Sequence, residues 1–67
     1  MLMVESEQEE DGRWIAEVAA LPGVMAYGKT KAEADAKVKA LALRVIVDRL
    51  DNGELLPQEI AKFFEAA

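Results

Sequence analysis

At 67 residues, with 52% hydrophobic and 31% charged side chains, the chain holds enough apolar material for one small core and too little for two. The lack of any Cys or His removes disulfide staples, His/Cys metal sites and the usual nucleophile–base pairs of enzymes. A net charge of -5 argues against a phosphate-backbone ligand, which is held by Lys and Arg, and favours a basic partner.

No apolar run approaches the roughly 20 residues of a membrane span. The start, Met1-Leu2-Met3-Val4-Glu5, turns acidic too early for a signal peptide, so a cytoplasmic location is expected. Residues 1–67 are read as a single domain without a separate DNA-binding domain. So short a chain gains buried area most readily by self-association, and a homo-oligomer, dimer or tetramer, is the expected state.

The first element is an edge-type strand from Met1 to Glu9, carrying Glu5, Glu7 and Glu9. Glu10-Asp11-Gly12 supplies turn chemistry, and Arg13 restarts the strand. Parity decides the register. A two-residue Asp11-Gly12 loop would put Glu5 and Glu7 beside Trp14, Ala16 and Val18, whereas a three-residue loop with Gly12 left-handed aligns Leu2 and Val4 with those core residues. The longer loop is therefore expected, leaving Glu5, Glu7, Arg13, Ile15 and Glu17 on a solvated face. Leu21-Pro22-Gly23-Val24 reads as a type II turn leading to a short third strand, Met25-Ala26-Tyr27, closed by Gly28. The result is a three-stranded antiparallel meander.

Thr30 is placed as an N-cap with Glu33 completing a capping-box pattern, and the helix runs from Lys31 to Asn52, with Gly53 as its stop. Ala34, Val38, Leu41 and Val45 form the stripe expected to cover the sheet. Ala36, Ala40, Leu43, Val47 and Leu50 form a second stripe, which must meet the C-terminal segment, another subunit or a partner. In the tail, Pro57 at a first helical position and Ile60, Phe63 and Phe64 at helical spacing favour a short helix that covers the second stripe, in the same chain or swapped into a neighbour. A strand around Lys62 to Ala66 is the alternative. The fold class is thus α+β: a meander, one long α-helix, then a short helix or strand.

Chemistry finds little purchase. Ser6, Tyr27 and Thr30 are the only hydroxyls, none beside an activating base, and the glycines are scattered as turn and cap residues. Glu5, Glu7 and Glu17 could in principle share a magnesium ion as RNase H-type nucleases do, but a solvated face that discourages edge pairing explains them at least as well. No catalytic residue, metal site or cofactor is assigned, and the chain is read as a non-enzyme. Candidate partner contacts are Glu5, Glu7, Glu9, Glu10, Asp11, Ile15 and Tyr27. The candidate oligomer interface is Leu43, Val47, Leu50, Phe63 and Phe64.

Asp11-Gly12, Trp14-Ile15-Ala16, Leu21-Pro22-Gly23, Gly28 with Thr30, and Glu33-Ala34 follow one another at set spacings, and Ala40 to Ile46 and Asp48 to Glu54 continue the series. This ordered set resembles the HicB-like antitoxin family of bacterial toxin–antitoxin systems and covers most of the chain. The resemblance implies a partial RNase H-like β-β-β-α fold without RNase H chemistry, commonly with a further strand after the helix. It implies an antitoxin that neutralises a small basic HicA-type mRNA interferase by occluding it, which suits an acidic chain. The alternative is a solitary HicB-like oligomeric domain of structural or unknown function. The chain departs from many relatives at Ala19-Ala20, before Leu21. Full antitoxins often append a DNA-binding segment; the chain ends before one, so DNA binding is not expected.

Overall fold

The computed structural model describes residues 2–64. Three strands, β1 (Val4–Gln8), β2 (Trp14–Val18) and β3 (Met25–Gly28), form an antiparallel sheet in the order β1-β2-β3. The long helix α1 (Lys31–Asp51) and a short helix α2 (Gln58–Ala61) follow. The α+β meander expected from the sequence is the observed architecture.

The first hairpin takes the three-residue loop. Glu9 N–H donates to Arg13 C=O at 2.7 Å and Gly12 N–H to Glu9 C=O at 3.0 Å, with Gly12 at φ 91°, a value few side chains tolerate. Val4 pairs with Val18, Ser6 with Ala16 and Gln8 with Trp14, so the even positions turn toward the core. The second connection closes through Val24 N–H to Leu21 C=O at 3.0 Å, with Gly23 at φ 86°. Leu21 is more than a turn residue: its side chain is fully buried and among the largest in the core.

α1 begins at Thr30, whose hydroxyl accepts from Glu33 N–H at 3.1 Å. The return bond is displaced by one residue, because the Glu33 carboxylate accepts from Lys29 N–H at 3.2 Å rather than from the cap's own amide. That N–H first, then Lys37, holds the Glu33 carboxyl below its ordinary value. The helix ends one residue earlier than expected, at Asp51, with Asn52 as C-cap. Glu54 N–H donates to Arg49 C=O at 2.8 Å and Gly53 N–H to Leu50 C=O at 3.1 Å, a Schellman closure.

The face of α1 on the sheet differs from the expected one. Ala34, Val38, Ala42 and Ile46 are buried, while Leu41 and Val45 flank the contact and are only partly covered. Small side chains at the centre let the helix approach the sheet closely, and the larger ones fill its margins. Ala16 and Val18 from β2, Leu21 and Val24 from the turn and Ile60 from α2 complete the core. Trp14 packs partly buried against it, as its place on the core face predicts.

The tail is helical at residues 58–61, with Pro57 at the N-cap rather than in the first turn. The alternative strand falls partly outside the described residues, and Lys62 to Phe64 take no strand. Ile60 does not cover the second stripe of α1 as expected. It plugs the main core at 2% exposure, and Phe63 and Phe64 remain exposed. A radius of gyration of 13.3 Å exceeds the roughly 11 Å of a compact 67-residue domain, consistent with a helix longer than the strands it covers.

Candidate functional site

With α1 on one face of the sheet, the other face meets solvent. Antiparallel pairing sets its side chains in rows across the strands. Glu5 of β1 stands opposite Glu17 of β2, which stands opposite Met25 of β3. In the next row Glu7 faces Ile15, and Ile15 faces Tyr27. Met25 and Tyr27 are 42% and 43% exposed, so the β3 side offers an apolar strip next to the carboxylates of the β1 side.

Arg13 closes one end of this face. Its guanidinium lies 4.7 Å from the centre of the Tyr27 ring and its Nε donates to Asp11 Oδ2 at 2.7 Å. Arg13 N–H also donates to Asp11 Oδ1 at 3.1 Å. That backbone bond, and then the guanidinium, hold the Asp11 carboxyl below its ordinary value. Asp11 is thus committed to organising the hairpin, and Tyr27 is fixed from above by a cation–π contact.

Glu5, Glu7, Glu9, Ile15 and Glu17 line a shallow hollow of ≈ 280 Å³ beside Ser6. Glu10 and Asp11 sit farther along, in the turn, and share a second hollow with Glu7, Glu9 and Arg13. Of the contacts expected from the sequence, Glu5, Glu7, Glu9, Ile15 and Tyr27 lie together on the open face; Glu10 and Asp11 extend it at the hairpin tip. Glu17, Met25 and Arg13 belong to the same surface and were not among those contacts. The strand alternation carries Glu17 and Arg13 there, and the β2–β3 register adds Met25.

Compared with protein-family models, curated proteins and solved structures, the chain gives no match. Among the described residues no group of three or more Asp or Glu side chains is placed to hold a metal ion. Glu5, Glu7 and Glu17 therefore share a face without forming a metal cluster.

Ser6, on the covered side of β1, donates its hydroxyl to Asp35 Oδ1 in the first turns of α1. Lys31 Nζ reaches Asp35 Oδ2 at 2.8 Å. Lys31 chiefly, and Ser6 next, hold this carboxyl below its ordinary value. The acidic strand is thereby tied to the helix at its middle as well as through the ladder.

The candidate oligomer residues are all uncovered. Leu43, Val47 and Leu50 are 62%, 56% and 50% exposed along α1, and Phe63 and Phe64 stand exposed beyond α2. Leu43 lines a hollow with Leu2, Val4 and Val18 at the β1 edge of the sheet, and Val47 and Leu50 lie farther along the helix. Among the described residues no helix is long and apolar enough to cross a membrane.

Proposed function

We propose that this chain is a protein-binding module of HicB-like antitoxin type, whose acidic sheet face occludes a small basic ribonuclease of HicA type in the cytoplasm. The observation that carries the reading is the crowding of Glu5, Glu7, Glu9 and Glu17 around one open hollow, bordered by Ile15, Met25 and Tyr27. A field of one sign steers a basic protein to the face, and the adjoining apolar strip supplies the area that binding needs once the two meet. The reading assigns the chain inhibition by occlusion and no chemistry of its own.

The test is co-expression and titration with a small basic HicA-type ribonuclease encoded beside this chain. A stable complex, inhibition of cleavage, and loss of both on E5K together with E17K are expected. A properly folded pair that forms no complex at low ionic strength overturns the proposal.

A further inference from the structure

The sheet has an open edge at β1, which pairs only with β2. Glu9 N–H donates to Arg13 C=O at 2.7 Å, and Val18 N–H turns away from β1 to Val24 C=O at 3.2 Å. With Val4 opposite Val18 and Glu7 opposite Ile15, antiparallel alternation fixes the rest. The backbone groups of Glu5, Glu7 and Glu9 point at β2, and those of Val4, Ser6 and Gln8 point out of the sheet. Among the described residues, no backbone hydrogen bond from another element reaches these three. A bare row of this kind is a template for a further strand.

The two sides of such a strand meet different chemistry. On the open side its residues stand beside Glu5 and Glu7. On the α1 side Leu2, Val4, Val18, Ala42 and Leu43 line a hollow of ≈ 320 Å³ with Lys39 at its margin. A space of roughly 150 Å³ already holds a benzene-sized group, so the hollow takes an aliphatic side chain. Ser6 and Lys31 occupy Asp35, and Lys39 repels another cation, which confines basic residues to the open side. A second copy does not fit this edge. Two β1 strands joined through Val4, Ser6 and Gln8 bring the carboxylates of one copy beside those of the other, in either direction.

We infer that β1 takes a fourth strand from a basic partner protein: an extended segment with Lys or Arg at alternate positions beside Glu5 and Glu7, and an aliphatic residue beside Val4. Backbone pairing supplies the affinity, and the alternation of charge and apolar side chains supplies the specificity. The inference rests on the occlusion reading for the class of partner and adds the place and manner of docking.

The probes are the peptide Lys-Thr-Lys-Thr-Lys-Val-Thr-Leu, capped at both ends, and the same sequence reversed. One of them should bind the full chain with a Kd of about 100 µM or tighter at low salt. Binding should slow hydrogen exchange at the amides of Val4, Ser6 and Gln8 and leave Met25 and Tyr27, whose amides face out of the other edge, unchanged. S6P and Q8P each remove an outward N–H without touching the pairing with β2. With the circular dichroism spectrum kept, each should weaken the peptide by about tenfold or more, and S6A by less than about threefold. Slow exchange at the same three amides in the free chain overturns the inference, because the chain or a second copy then fills the edge. So does binding by neither peptide, or binding indifferent to both proline variants. A ribonuclease complex that S6P and Q8P leave intact overturns strand addition while occlusion stands. A bound peptide with no ribonuclease complex overturns occlusion while strand addition stands.

Discussion

Gly28, the last residue of β3, lies directly beneath the first turns of α1: a Cβ built on it would stand 2.5 Å from the backbone nitrogen of Ala34. The obstacle is main chain, so no rotamer change relieves it. The strand and the helix can meet here only because one has no side chain and the other has a methyl. G28A is expected to lift the N-terminal half of α1 from the sheet and to cost about 3 kcal/mol in urea unfolding. A loss within experimental error would mean that the helix does not sit this close.

Much of this arrangement is readable in the chain because carboxylates constrain it. Glu5 and Glu7 cannot be buried beside Trp14, and that alone selects the three-residue loop and the whole sheet register. The face of α1 is harder. A projection weighted toward large residues selects Leu41 and Val45, whereas close packing puts Ala42 and Ile46 at the contact, and nothing local in the sequence encodes that distance. The tail fails for a related reason. Ile60, Phe63 and Phe64 share helical spacing, but α2 stops at Ala61, so the phenylalanines leave the face on which Ile60 enters the core. The open face was legible in its charge and in the place of Met25 and Tyr27 near Ile15, but not in the long-range pairing that sets Met25 opposite Glu17.

Ile60 should therefore matter more than either aromatic residue after it. At 2% exposure it fills the end of the core, and I60A is expected to cost about 2–4 kcal/mol. F63A, at a position 60% exposed, should stay within about 0.5 kcal/mol of the parent in the same denaturation series. Equal effects would place the phenylalanine against the core instead.

The N-cap offers a smaller and more local effect. Thr30 accepts from Glu33 N–H, and T30A leaves that amide to water, for a loss of about 1 kcal/mol. T30S keeps the acceptor and should retain most of the stability. If T30S is as damaging as T30A, the methyl rather than the oxygen is what the site uses.

Acid should destabilise the fold through three carboxyls. Asp11, Glu33 and Asp35 are all held below their ordinary values, 3.8, 4.5 and 3.8, by Arg13, by Lys29 N–H and Lys37, and by Lys31 and Ser6 respectively. A carboxyl whose folded value is depressed releases its proton more readily in the folded state. Its contribution is therefore complete above the unfolded value and is lost as pH falls through the folded one. Thermal midpoints should hold down to about pH 5 and decline below it, less steeply in D35N than in the parent. A midpoint that rises on acidification below pH 4 would contradict these pairings.

Glu5 and Glu17 face each other across β1 and β2, and like charges directly opposite in a sheet are unfavourable. E17Q keeps the shape and removes the repulsion, so it should stabilise the isolated chain by about 0.3 kcal/mol at low salt. The gain should shrink in 1 M salt, where the screening length is about 3 Å. The same substitution removes a carboxylate from the hollow that a basic partner would enter, so the affinity for that partner should fall, mainly through slower association. Opposite signs for stability and binding are what separate a face selected for recognition from one that only keeps the chain apart from its neighbours. If E17Q stabilises the chain and leaves binding to a basic ribonuclease unchanged, the carboxylates serve solubility and the docking surface lies elsewhere.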